Sequence, residues 1–226
     1  MMRNIPWQQI DTLLLDMDGT LLDLAFDSDF WQRQVPQALS HTRHISLDEA
    51  QRFIDNEYAS AQHTLNWYCL DYWQQKLGLD IYGMLEEQGP QARLRVDTLP
   101  FLAALKAEGK RLILLTNAHP HNLAIKLKHT DLAPHLDLLL STHTFGYPKE
   151  DKRLWQAVAS YTALDSQRTL FIDDSEAILD AAADFGIAYC LGVANPDSRQ
   201  GEKIFKRYPA VSDYRTLIPA LSQQEA

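Results

Sequence analysis

The chain has 226 residues, 46% of them hydrophobic, with 30 acidic against 21 basic residues and a formal net charge of -9. This is enough for one sizeable core plus a smaller unit, at roughly 150 residues per domain, and its acidity argues against a nucleic-acid partner, whose backbone demands clustered Lys and Arg. No apolar run approaches the ~20 residues that span a bilayer, and Asp11, Asp16 and Asp18 interrupt any apolar leader core, so no membrane partner is expected. Cys69 and Cys190 lack the CxxC spacing of a metal or redox motif, which predicts reduced thiols in a cytoplasmic enzyme working on small molecules, expected to be a monomer.

The first predicted strand, Leu13-Leu14-Leu15, runs into Asp16-Met17-Asp18-Gly19-Thr20. Residues i and i+2 of a strand project to one side. Asp16 and Asp18 therefore share a point beyond the strand's carboxyl end, where open α/β sheets place ligands, and can hold a hard cation between them. Residues 24–95 read as helices without a strand: Ser46 and Glu49 form a capping-box pattern before a helix to about Ala61, and Asn66 to Leu77 makes another. From residue 97 onward helix and strand alternate. Thr98 to Ala107 is a helix closed by Gly109, Arg111 to Leu115 a strand leading to Thr116 and Asn117, and His119 to His129 a second helix. Leu136 to Leu140 is a strand followed by Lys149, Glu150 to Tyr161 a third helix, and Arg168 to Ile172 a strand ending in Asp173-Asp174. Ser175 to Asp184 is a helix stopped by Gly186, and Ala188 to Val193 a last strand. The order predicts right-handed βαβ crossovers and an α/β fold with a mostly parallel sheet covered on both faces.

Asp16-Met17-Asp18-Gly19-Thr20, the strand ending at Thr116, Lys149 in Tyr147-Pro148-Lys149, and Asp173-Asp174 follow one another in an order that resembles the four signatures of the haloacid dehalogenase-like (HAD) hydrolases. The resemblance implies a Rossmann-like sheet sandwiched by helices, with a catalytic core of residues 1–23 and 96–226 and an inserted α-helical cap of residues 24–95. It implies Asp16 as the nucleophile that becomes an aspartyl phosphate, and Asp18 as the acid that protonates the leaving oxygen and then the base for water. Thr116 and Lys149 would contact the transferring phosphoryl group, with Gly19, Thr20 and Asn117 beside it. Mg2+ is the implied cofactor, held by Asp16, the backbone carbonyl of Asp18 and one acid of the Asp173-Asp174 pair, whose internal order stays open; an oxygen-only ligand set suits that ion. Ile172 stands where many relatives have glycine, and Pro148 precedes the lysine where a proline often follows. Neither departure removes a functional group.

Longer runs narrow the resemblance. His63 to Trp73, Thr116 to Asn122 and Leu140 to Asp151 are similar to those of the bacterial GMP/IMP nucleotidase group, which implies a 5'-nucleotidase acting on purine mononucleotides. Ten aromatic residues fall between residues 22 and 95, a density that suits a planar base, since base-aromatic stacking is worth ~1 to 3 kcal/mol. Phe26, Phe30, Trp67 and Tyr68 are the favoured base contacts; the others are expected to pack a small helical core. Asp71, one turn after Trp67, either accepts from purine N1-H or is an exposed helix charge. His119-Pro120-His121 reads as a helix start rather than a metal site. A phosphatase for phosphoglycolate or sugar phosphates is the alternative, and its cap would be expected to present Lys, Arg or other polar groups instead.

Overall fold

The computed structural model describes residues 5–218 and 220. Its centre is a six-stranded parallel sheet in the order β3-β2-β1-β4-β5-β6, with β1 Thr12–Leu15, β2 Arg111–Thr116, β3 Leu138–Ser141, β4 Thr169–Asp173, β5 Tyr189–Val193 and β6 Ala210–Val211. The first strand lies between the second and the fourth, with Leu15 opposite both Leu114 and Ile172. Strand order reverses its direction at β1. The crevice beyond its carboxyl end is therefore the switch point where such sheets bind ligands.

Period-2 alternation divides the apolar strands between two cores. Leu13, Leu15, Leu112, Leu114, Leu170 and Ile172 pack with Phe101, Leu102 and Leu105 of α6 (Thr98–Ala107) and Leu123 of α7 (Pro120–His129). Leu14, Ile113, Leu115 and Phe171 face the opposite way, against Leu154, Trp155 and Val158 of α8 (Lys152–Thr162) and Ile178, Leu179 and Ala182 of α9 (Glu176–Phe185). Burial on both faces explains why these strands read as unbroken apolar runs.

The stretch between β1 and α6 is helical: α1 Ala25–Asp29, α2 Val35–Arg43, α3 Leu47–Ala61, α4 Leu70–Leu77 and α5 Ile81–Gln88. These helices close around a third core that includes Phe26, Phe30, Val35, Leu39, Ile54, Leu70, Trp73 and Leu85. The capping box forms as expected, with the Ser46 hydroxyl accepting from Glu49 N and the Glu49 carboxylate accepting from Ser46 N at 2.9 Å. A wide π turn at Phe30–Gln34 joins α1 to α2; such turns break the regular ladder and recur at functional sites.

Two expectations differ from the structure. The predicted helix from Asn66 to Leu77 is interrupted: Leu65–Tyr68 forms a 3-10 turn, Cys69 is extended, and the helix begins at Leu70. The Trp73 indole N–H donates to Trp67 O at 2.8 Å across the break, which seats Trp73 in the core while leaving Trp67 and Tyr68 half-buried. The strand at residues 189–193 is also not the last, because Ala210–Val211 adds to the edge beside Gly192 and Val193. Two residues are too few to show any period. Among the described residues no helix is long and apolar enough to cross a membrane.

Candidate active site

The carboxyl ends of β1, β2 and β4 deliver Asp16, Thr116 and Asp173 to one point because the three strands are adjacent and in register. One carboxylate oxygen each from Asp16, Asp173 and Asp174 lie within 4.8 Å of one another. Lys149 enters from the loop after β3 and is wholly buried, its Nζ donating to Asp16 Oδ1 and, at 2.9 Å, to Asp173 Oδ2. Its backbone is fixed on both sides: Lys149 N donates to Asn117 Oδ1 at 2.9 Å, and the Trp155 indole N–H donates to Lys149 O at 2.8 Å.

Burial and mutual repulsion set the charge balance of this cluster. Burial raises the Asp173 carboxyl to about 8 against the opposing pull of Lys149, and the Asp16 and Asp174 charges add to the rise. Asp174 is also pushed up by burial, opposed by Lys203, whose Nζ lies 2.7 Å from its Oδ2. Lys149 is held above the ordinary lysine range because Asp16 and Asp173 outweigh its own burial. Two buried carboxylates and a partly buried third, facing two ammonium groups, leave an excess of oxygen donors, the chemistry that accepts a hard divalent cation. Both oxygens of Asp173 are taken, by Lys149 and by Ser175 N at 2.8 Å, whereas Asp174 has one oxygen engaged.

Gly19 makes the turn that this cluster needs. Its φ of +82° is open to glycine, and a Cβ there would come 2.9 Å from Pro196 Cβ and 3.0 Å from Asp174 Cγ. Gly19→Ala is therefore expected to lower stability by more than ~1 kcal/mol and to weaken divalent-cation binding by displacing Asp174. Urea unfolding with and without metal checks this, and a wild-type midpoint would show that the turn tolerates a side chain. Gly19 N is used within the turn, donating to Leu22 O at 2.8 Å.

Thr20 Oγ1 is buried without a hydrogen-bond partner, and the group that holds Asp18 is Lys126. Lys126 is fully buried in α7, with Nζ 2.7 Å from Asp18 Oδ1 and 2.7 and 2.8 Å from the two oxygens of Asp27. Burial and the neighbouring Asp27 carboxylate raise the Asp18 carboxyl to about 7 even with Lys126 opposing them, a value at which a carboxyl can both give and take a proton near neutral pH. The sequence held a signal for this lysine, since Lys126 stands one turn after Asn122 and Leu123 on the buried stripe of its helix.

Thr116 Oγ1 accepts from Ala118 N at 3.0 Å, which leaves its hydrogen for another acceptor. Asn117 is more fully used: Oδ1 positions Lys149, and Nδ2 donates to Glu150 Oε2 at 3.3 Å. Glu150, to which sequence reasoning gave no role, accepts from Tyr68 OH at 2.9 Å and so joins the helical stretch to the sheet.

A cavity of about 830 Å³ opens above the carboxylates, within the range of small-molecule sites. Asp16, Asp18, Thr116, Asn117, Lys149, Asp173 and Asp174 floor it, and Trp31, Tyr58, Trp67, Tyr68 and Trp73 form its aromatic wall. Trp67 stands edge-on to Tyr58 at 5.1 Å between centroids. Phe26 and Phe30 are absent from this lining: both are buried in the helical core, Phe30 edge-on to Trp31 at 5.0 Å and Phe26 below the Lys126 ammonium at 5.5 Å. Their closeness to β1 in sequence pointed to the site, but their apolar faces are used in packing. Asp71 also lies off the lining, 73% exposed, accepting from Tyr82 OH at 2.8 Å and 3.5 Å from His119 Nε2. None of the three lines the cavity.

A family model described as haloacid dehalogenase-like hydrolase matches residues 10–186. The chain is 66% identical over 218 residues to the GMP/IMP nucleotidase YrfG of Escherichia coli, covering 96% of this chain and 98% of that protein. It is 25% identical over 193 residues to the (S)-2-haloacid dehalogenase H-109 of Pseudomonas putida, covering 81% of this chain and 85% of that one. Among solved structures, a HAD phosphatase from Thermococcus onnurineus superposes with a TM-score of 0.78 at 21% identity, over 94% of this chain and 98% of that chain.

Proposed function

The chain belongs to the haloacid dehalogenase-like hydrolases, and on that premise we propose that it hydrolyses purine nucleoside 5'-monophosphates, GMP and IMP, to nucleoside and phosphate. The observation that carries this reading is the 66% identity to a GMP/IMP nucleotidase across almost the whole of both chains. The aromatic wall above an acidic floor supports it independently, because every purine has a π face to stack.

In this reading an Asp16 oxygen attacks phosphorus, the bond from phosphorus to the nucleoside 5'-oxygen breaks, and Asp18 supplies the proton that the leaving oxygen takes. Water then attacks the aspartyl phosphate, returns a proton to Asp18, and frees phosphate and Asp16. Lys149 holds Asp16 in place and offsets the charge that builds on the phosphoryl oxygens, joined by the Thr116 hydroxyl. Asn117 and Glu150 act as positioning residues for Lys149 and Tyr68. The family expectation of a divalent cation fits the donor set. Mg2+ is the ion proposed, with Asp16, the Asp18 carbonyl and Asp174 as ligands and Asp173 behind them; when bound it would neutralise phosphate charge. The helical stretch of residues 24–95 acts as the cap that selects substrate. Two free, half-buried cysteines suit a reducing cytoplasm, and a monomer suffices because one chain supplies the whole site.

The test is phosphate release from a panel of nucleoside monophosphates, sugar phosphates and phosphoglycolate, with Mg2+ and with chelator. Metal-dependent activity strongest on GMP and IMP is expected; a preference for phosphoglycolate or sugar phosphates overturns the substrate reading. Within the same panel Trp67→Ala is expected to lower kcat/KM on GMP by about 5- to 100-fold, the equivalent of one lost stack, and to change phosphoglycolate turnover little. Equal losses on both would assign Trp67 to packing against Tyr58.

A further inference from the structure

A second group of metal-ligating side chains lies at the rim of the cavity and shares no residue with the carboxylate cluster. Cys69, His119 and His143 each offer a donor atom, and the three atoms lie within 4.8 Å of one another. They come from separate parts of the chain: Cys69 from the extended break before α4, His119 from the residue preceding α7, and His143 from the turn after β3. Asp71 stands beside them on an exposed side, its Oδ2 3.5 Å from His119 Nε2 while Tyr82 holds its other oxygen, within reach of a fourth position. We propose that Cys69, His119, His143 and Asp71 bind a borderline divalent transition ion such as Zn2+, and that its binding fastens the helical stretch to the sheet and slows turnover.

The donor set selects the ion. Thiolate and imidazole favour Zn2+ over Mg2+, whereas the carboxylates around Asp16 favour the harder ion, so the two sites would sort the two metals between them. Tetrahedral zinc with bonds of about 2.0 to 2.3 Å places neighbouring donors about 3.3 to 3.8 Å apart. The separations among the Cys69, His119 and His143 donors, none above 4.8 Å, reach that range with side-chain shifts of about 1 Å. His143 Nε2 is buried without a hydrogen-bond partner, with the Asn117 and Tyr68 backbones beside its ring. The His119 and His143 rings already meet edge-on, with centroids 5.0 Å apart.

Placement gives the site its consequence. Cys69 follows Tyr68, which reaches Glu150, and His119 lies two residues after Asn117, which fixes Lys149. An ion held between them would bridge the aromatic wall and the catalytic floor, and a nucleotide must pass between these to enter or leave. Nothing in this site depends on which phosphate ester is cleaved.

The experiment uses the full chain at saturating Mg2+ and titrates Co2+ as a spectroscopic stand-in for Zn2+. A near-ultraviolet thiolate-to-cobalt band that saturates at one ion per chain and is displaced by Zn2+ is expected. Cys69→Ser should abolish the band, and His143→Ala should weaken binding at least tenfold, each with a wild-type melting transition. In turnover assays with Mg2+ saturating, Zn2+ should inhibit the wild type, while Cys69→Ser keeps the uninhibited rate and needs at least tenfold more Zn2+. Absence of a thiolate band in the folded wild type, or undiminished Co2+ binding by folded His143→Ala, overturns the site. Retained Zn2+ sensitivity in Cys69→Ser overturns the fastening. The band is read without substrate, so a wrong substrate reading leaves it standing.

Discussion

Asp16→Asn is expected to remove turnover by about a thousandfold or more while leaving the fold intact. The amide keeps the shape of the carboxylate but loses the anionic oxygen that forms the bond to phosphorus, and loss of a covalent nucleophile ranks among the largest single-residue effects in enzymes. Stability should move little, for reasons visible in the site. Asp16 charge pushes up the carboxyl groups of Asp173, Asp174 and Asp18, so its removal relieves repulsion that the fold otherwise sustains. Against that gain, Lys149 loses one of two carboxylate partners and keeps Asp173 at 2.9 Å. The measurement is steady-state phosphate release from GMP beside a metal-free melting curve. A melting temperature within a few degrees of wild type with no turnover is the expected pair; phosphate release above about a thousandth of the wild-type rate would refute the nucleophile assignment.

The parts of this site that could be read from sequence are those where one residue type serves one strand end. Asp16, Thr116 and Asp173 each follow an apolar run of three or four residues, and a parallel sheet leaves such runs one place to deliver a side chain. Lys149 was legible from its order between them, since its loop follows β3 and has no pattern of its own. What stayed hidden depends on contacts between segments far apart in sequence. Lys126 meets Asp18 across 108 positions, and Tyr68 meets Glu150 across 82; no local spacing records either pair. The aromatic residues show the limit most plainly. Phe30 and Trp31 are neighbours on one turn, yet the first is buried in the helical core and the second lines the cavity. Composition could count these rings, but which of them line the cavity follows from the π turn and the break at Cys69.

Lys149→Met is expected to lose about a hundred- to a thousandfold in turnover, the scale of removing one preorganised charge-stabilising group, and also to unfold more easily. The second effect separates charge from shape. Methionine fills much of the same volume, so the wholly buried site keeps its packing, but Asp16, Asp173 and Asp174 then face one another without the ammonium that now bonds two of them. Breaking a buried pair by removing one partner costs about 3 to 5 kcal/mol. The pH dependence follows from the direction of the shifts. Asp173 already sits at about 8 with Lys149 opposing the rise, and without the lysine the folded state holds its proton still more tightly than the unfolded chain does. A carboxyl raised on folding contributes stability at low pH and loses it as pH climbs toward the folded value. The variant's deficit should therefore be smaller at pH 6 than at pH 9.5, because above about 8 the wild-type Asp173 gives up its proton in the folded state and stops losing stability while the variant's does not. Added Mg2+ should restore much of that melting temperature by screening the carboxylates, without restoring turnover. Melting curves at both pH values, with and without Mg2+, make the comparison. A deficit of equal size at both pH values would mean that the loss is one of packing, and wild-type turnover would reduce Lys149 to a structural ion pair.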